Sequence, residues 1–147
     1  MSKNKIKNIF VNGSINPLFI AESIAKHSSK TQIGGHSIFL GQVRKDELQG
    51  NHVFAIEYTA YDDLALEKMH LIREEIFEKY PLSCMHVYHS LGRVHSGEIC
   101  LFVFTSSAHR KPAIDACSEL VERLKAELPI WGKEIFENDT HQWKENK

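Results

Sequence analysis

The run Ser107-Ala108-His109-Arg110-Lys111-Pro112 sets an imidazole, a guanidinium and an ammonium side by side ahead of a proline. Fifteen residues after Arg110 comes Lys125, and then Pro129-Ile130-Trp131-Gly132-Lys133-Glu134. Side chains of these types hold anions and move protons. Arginine offers a two-pronged donor to phosphate or carboxylate. A lysine drawn out of water, or set beside another cation, holds its proton less tightly and becomes useful for proton transfer or nucleophilic attack near neutral pH. A second fragment of the same kind, Gly41-Gln42-Val43-Arg44, lies upstream.

The elements that must position these groups follow from periodicity and punctuation. Ile6 to Val11 reads as a strand, and Asn16-Pro17 as a helix cap with proline at the first helical position, opening a helix to about Lys26. His36 to Val43 reads as a strand in which Gly41 marks a bulge or a close backbone approach, with Arg44 at its end. Lys45 to Asn51 reads as a polar loop able to order over a ligand. Val53 to Tyr58 is a strand, and Asp62 or Asp63 caps a helix carrying Ala65, Met69, Ile72, Ile76 and Tyr80 at helical spacing until Pro81. Ser83 to Leu91 and Ile99 to Thr105 are two more strands, the second buried. Pro112 opens a third helix with Ala113, Cys117, Leu120, Val121, Leu124 and Leu128 on one stripe, and Pro129 ends it.

This order predicts an α+β fold of two layers, with a largely antiparallel sheet and three main helices. It forms one domain over residues 1–147 with a polar tail from about 138. Lys125 falls at the flank of the third helix's apolar stripe, where it is either a partly shielded amine or a lysine whose stem covers the core edge. His109 and Arg110 fall at the helix start, where unpaired N–H groups and the dipole favour an anion, or are ordinary solvated residues.

Bulk properties narrow the classes. The chain has 147 residues, 42% hydrophobic and 25% charged, with a net charge of −1, so any anion it binds must be met by a local cluster rather than by a general field. Nucleic acid and membrane partners are not expected. The basic start Met1 to Lys7 resembles a signal peptide, but the apolar run after it is broken by Asn12, Gly13 and Asn16, so a cytoplasmic protein is expected. Cys84, Cys100 and Cys117 are odd in number and form no CxxC pair, which suits free thiols in a reducing compartment. No metal and no cofactor are expected: His86 and His89 on one strand point to opposite faces. The sequence contains no glycine-rich phosphate loop, nucleophile elbow, HExxH or dinucleotide fingerprint.

Taken together, Gly41 to Arg44, Glu57-Tyr58-Thr59-Ala60-Tyr61, His89-Ser90-Leu91-Gly92, Ser106 to Arg110, and Leu124-Lys125 with Pro129 to Glu134 resemble the molybdopterin synthase catalytic (large) subunit, from about Gly35 to Trp143. The resemblance implies an α/β hammerhead-type fold and a homodimer within a heterotetramer. The partner it implies is a small ubiquitin-like sulfur-carrier subunit ending in a Gly-Gly thiocarboxylate. The implied reaction transfers two sulfurs to cyclic pyranopterin monophosphate, making the dithiolene of molybdopterin in molybdenum cofactor biosynthesis. By position, Lys125 matches the catalytic lysine, Gln42, Val43 and Arg44 match a substrate-contacting strand end, and His109 and Arg110 match phosphate and pterin contacts.

Two positions depart from the family pattern. The second lysine that normally follows Pro-x-Trp is replaced by Gly132, with Lys133 and Glu134 next. Either Lys133 swings into the vacant place, the expectation adopted here, or Lys125 works with His109 and Arg110 alone. Ser90 stands where many relatives carry arginine, which removes one anion contact. A noncatalytic scaffold that only docks the carrier is the alternative from another class, and an enzyme using Cys117 as nucleophile is a second rival.

Overall fold

The computed structural model describes residues 6–146, so Met1 to Lys5 of the basic N-terminal stretch lie outside the described residues. The strands are β1 (Phe10–Asn12), β2 (Gly35–Gln42), β3 (Glu47–Leu48), β4 (Asn51–Ala60), β5 (Leu82–His95), β6 (Ile99–Ser107), β7 (Ile130–Phe136) and β8 (His141–Trp143). The helices are α1 (Pro17–Lys26), α2 (Asp62–Lys79) and α3 (Arg110–Glu127), with a 3-10 turn at His27–Ser29.

The sheet runs β2-β6-β5-β4-β7-β8, with β1 added to β5 and β3 to β4. The β1–β5 pair is parallel and the other pairs are antiparallel, which gives the mixed, largely antiparallel sheet expected. β6 is buried on both faces. Its Leu101 and Val103 pack with Ile72 and Ile76 of α2 and Leu120 and Leu124 of α3, while Phe102 and Phe104 pack with Ile15 and Ile20 on the α1 side. A strand covered on both faces reads as a continuous apolar run. The three cysteines are free and buried.

Local chemistry accounts for the helix starts. The Asn16 side chain accepts from the Leu18 N–H at 2.9 Å and Pro17 fills the first turn. α3 starts two residues before Pro112, with His109 as its extended N-cap and Arg110 as its first helical residue. An early start is tolerated because the first turn's N–H groups have no partner within the helix, so proline at the third position loses no bond.

Four expectations need correction. β1 is shorter than Ile6 to Val11 and begins at Phe10. The polar stretch after Arg44 is a small hairpin rather than a loop, since Gln49 and Gly50 take φ of 52° and 80° and turn β3 back on β4. β7 was not anticipated, because consecutive buried residues at Glu134, Ile135 and Phe136 break the period of two. The polar tail is not structureless: β8 is exposed along its length and so carries no apolar signal.

Candidate active site

A groove of about 750 Å³ opens between β2, β4, the end of α3 and β7–β8, and both Arg44 and Lys125 line it. Its walls are set by specific backbone devices. At Gly41 a side chain would press on Leu101 Cβ at 3.1 Å, and the β2–β6 register slips between Gly41 and Gln42. A bulge re-aims the residues after it, so Gln42 and Arg44 face the groove while Val43 turns inward. Arg44 is exposed and pairs with Asp46 at 3.2 Å.

Lys125 lines the groove and also a smaller cavity of about 80 Å³ shared with Tyr58, His89, Trp131, Gly132 and Lys144. Although the residue keeps contact with solvent, burial of its amine lowers its pKa below the usual lysine value, and the Lys144 ammonium lowers it further against the opposing pull of Cys100 and Glu122. His89 is 7% exposed. Burial pushes its pKa down to about 4, and Lys125 adds to that, against a hydrogen bond with the Ser90 carbonyl that acts the other way. That carbonyl only accepts, so Nδ1 of His89 carries the proton in the 2.7 Å bond. Tyr58 is buried edge-on against His89, and burial first, then Cys100, holds its hydroxyl protonated well above the usual range. His89 and Tyr58 therefore stay uncharged at neutral pH, and neither gives Lys125 a counter-charge that would hold its proton.

The structure separates residues that the sequence grouped. His109 and Arg110 line a different open concavity with Lys111, Ile114 and Asp115. Fifteen residues of helix separate Arg110 from Lys125, about 22 Å at 1.5 Å per residue, so one chain does not bring them to one pocket. Val43 is 2% exposed and its N–H and C=O bond Glu98 and Gly97, which leaves nothing to offer a substrate.

Lys133 does not fill the place of Gly132. The two alternate across β7, and Lys133 Nζ lies 3.7 Å from Glu57 Oε1 on the opposite face from the cavity that Gly132 lines. A side chain at 132 would meet Ile56 Cγ2 at 2.9 Å and Tyr58 Cε1 at 3.2 Å, so the present packing of β7 on β4 favours glycine there. Glu134 is buried in the groove wall and accepts from Gln142 at 3.0 Å. Ser90 is fully buried, with a hydroxyl lacking a partner among the described residues.

Sequence reasoning missed Lys144. It is half-buried, lines both cavities with Lys125, and its N–H donates to the Gly132 carbonyl at 2.8 Å. Asn146 then reaches the Lys125 carbonyl at 3.3 Å. The only available signal was the charge pattern of a polar tail, which does not distinguish a solvated lysine from a docked one. With Lys144 the groove has three cations, Arg44, Lys125 and Lys144, against five carboxylates, Asp46, Glu47, Glu122, Glu134 and Glu145. Its capacity for anions is therefore confined to the end where Lys125 and Lys144 meet.

Fold and groove together define an α+β protein of the hammerhead type with a two-lysine pocket at a sheet edge. The chain belongs to the MoaE protein family, whose model matches residues 14–127. It is 38% identical over 116 residues to the molybdopterin synthase catalytic subunit of Pyrococcus abyssi, covering 79% of this chain and 77% of that one. It is 40% identical over 116 residues to the protein of the same name in Drosophila willistoni, covering 78% of this chain but 31% of the fly protein, so it spans about a third of that relative's length. Among solved structures, molybdopterin synthase from Staphylococcus aureus superposes with a TM-score of 0.81 at 31% identity, over 97% of this chain and 100% of that one. The fold is also shared, with a TM-score of 0.79 at 17% identity over 94% and 90% of the two chains, by the complex of subunits 1 and 2 of molybdopterin-converting factor from Helicobacter pylori.

Proposed function

We propose that this chain is the catalytic subunit of a molybdopterin synthase, moving two sulfurs from the thiocarboxylate of a small ubiquitin-like carrier to cyclic pyranopterin monophosphate. The observation that carries this reading is that Lys125 and Lys144 line one groove with Arg44 and share a second, smaller cavity beside it. In each transfer the thiocarboxylate sulfur bonds a substrate carbon while a C–O bond at that carbon breaks, its oxygen leaving on the phosphate or, after protonation, as water. Water then cleaves the resulting thioester, leaving a carboxylate on the carrier and the sulfur on the pterin. Lys125, its proton loosened by burial, exchanges protons in these steps, and Lys144 supplies the second ammonium in the space that Gly132 leaves open.

The remaining anion contacts come from a second copy. β2 is a free sheet edge whose Ile38, Phe39 and Leu40 are all exposed, a surface suited to burial in a homodimer. His109 and Arg110 of one protomer then complete the groove of the other, which overcomes the 22 Å helix separation and the excess of carboxylates. The other free edge, β8, carries the exposed Trp143 next to Lys144, and an extended carrier tail adding to it would run towards the lysines. The Helicobacter pylori complex supports a small-subunit partner in this fold. One domain over residues 1–147, working without a cofactor in the cytoplasm where its three thiols stay reduced, fits this role. No helix among the described residues is long and apolar enough to cross a membrane.

The test is reconstitution of purified chain, thiocarboxylated carrier and cyclic pyranopterin monophosphate, with dithiolene product measured directly. Product that depends on Lys125 supports the enzyme. Carrier binding without product would instead make the chain a docking scaffold, and loss of product on thiol alkylation with Lys125→Ala mild would favour cysteine chemistry.

A further inference from the structure

We propose that His27, Cys84 and His86 form a binding site for one thiophilic d10 cation, Zn2+ or Cu+, on the sheet face opposite the groove. The three side chains converge from two elements. His27 follows the last turn of α1, and Cys84 and His86 are two apart on β5, so their side chains share a face. His86 sits in register with Phe104, whose ring lies on the α1 side of β6, whereas Lys125 belongs to the other side.

The ligand atoms lie within 4.8 Å of one another. His27 Nδ1 donates to the Ser23 carbonyl at 2.7 Å, which leaves Nε2 as an acceptor aimed inward, the orientation that a hydrogen bond at the other ring nitrogen imposes on metal-binding imidazoles. Nε2 of His86 is 3.2 Å away. Two imidazole nitrogens about 2.0–2.1 Å from a tetrahedral metal stand roughly 3.3 Å apart, so this spacing needs little adjustment. His27 and Cys84 are each 7% exposed, and the Phe104 ring packs 4.8 Å from the His27 ring, shielding one side.

Two lysines flank the site, and one of them contacts a ligand atom. Lys30 Nζ contacts Cys84 Sγ at 3.0 Å and Lys7 Nζ contacts His86 Nδ1 at 3.4 Å. Both residues are exposed and free to turn outwards. On binding, the thiol proton leaves to solvent, the His86 proton settles on Nδ1, and three bonds form, to both Nε2 atoms and Sγ. With one thiolate the Cu+ complex is neutral and the Zn2+ complex carries one positive charge, so the neighbouring lysines oppose Zn2+ more. Imidazole with thiolate suits both ions.

Untagged, reduced protein is titrated with Co2+ as the optical probe for the Zn2+ arm and, separately, with Cu+ against a chromophoric Cu+ chelator. One equivalent should bind in at least one arm, with an intense near-ultraviolet thiolate band in the cobalt case. Cys84→Ser should abolish that band, and His27→Gln or His86→Gln should weaken binding by more than the roughly 10–100-fold typical of losing an outer-shell partner. Lys30→Met, which removes a competing cation without touching a ligand, should tighten binding. Folding of each variant is checked by circular dichroism without metal. Absence of stoichiometric binding in both arms, or a thiolate band that survives Cys84→Ser, would overturn the proposal.

Discussion

His89 gives the sharpest quantitative test of the groove wall. Its imidazole is 7% exposed, donates from Nδ1 to the Ser90 carbonyl and packs against Tyr58, with a pKa brought down to about 4 from an ordinary 6.5, chiefly by burial. The unfolded chain takes up this proton as pH falls through 6.5, whereas the folded chain does not until about pH 4. Stability is therefore full above pH 6.5 and is lost as pH falls towards 4. At about 1.4 kcal/mol per pH unit the loss from this residue is about 2 kcal/mol at pH 5 and about 3 kcal/mol at pH 4. Against a typical total of roughly 5–15 kcal/mol that is readily measured. In His89→Asn the amide keeps a donor near the position of Nδ1 but does not titrate. The variant should be less stable at pH 7 because it fills less space, and its urea-derived stability should fall with acid by about 2 kcal/mol less than wild type between pH 7 and pH 5. Comparing the two proteins cancels the other histidines. Parallel stability curves for wild type and variant over that range would refute the claim that His89 is held neutral in the wall beside Lys125.

Other outcomes follow from the same geometry. Lys125→Met should abolish product formation yet raise stability at neutral pH, because the fold disfavours the charged amine; the gain should shrink as pH rises from the lowered folded pKa towards the unfolded value of 10.5, as read by denaturant melts across alkaline pH. Lys144→Met should lower kcat at least about tenfold, the scale of one proton-transfer or charge-stabilising group, while Lys133→Met, which removes only an ion pair with Glu57, should leave kcat within about twofold; the reverse ranking would restore Lys133 to the site. Gly132→Ala should cost about 1–3 kcal/mol in urea unfolding, because its methyl has no room between Ile56 and Tyr58.

The elements legible in the sequence are those that bury one clean stripe or one long run. α2 and α3 declared themselves through Ile72, Ile76, Leu120 and Leu124, and β6 through its unbroken apolar core, because burial dictates spacing wherever a face meets the interior. Gly41 was readable as a bulge because a glycine inside a strand has few other uses. β7 and β8 were hidden, one by a buried glutamate that breaks the alternation and the other by a strand with nothing to bury. At the site, residue types were readable but their meeting points were not. Arg110 and Lys125 are linked by one helix whose length keeps them apart, and residue types alone do not record that distance.

Backbone packing at Gly132 decides which side chains reach the cavity beside Lys125. Gly132 pairs with Tyr58 across β4–β7, where a Cβ would press on the Ile56 and Tyr58 side chains, so a larger residue fits only if those side chains shift. The Gly132 carbonyl on the outer side remains free to accept, and it takes the Lys144 N–H at 2.8 Å as the chain leaves β8. That bond fixes Lys144 at the cavity it lines with Gly132 and Lys125, and Asn146 anchors the next turn of chain to the Lys125 carbonyl. Tight β4–β7 packing thus disfavours a long side chain at position 132, and the chain leaving β8 brings Lys144 to the same cavity. Lys133, one residue away in sequence, remains on the far face with Glu57 because a strand reverses its side chains at every step.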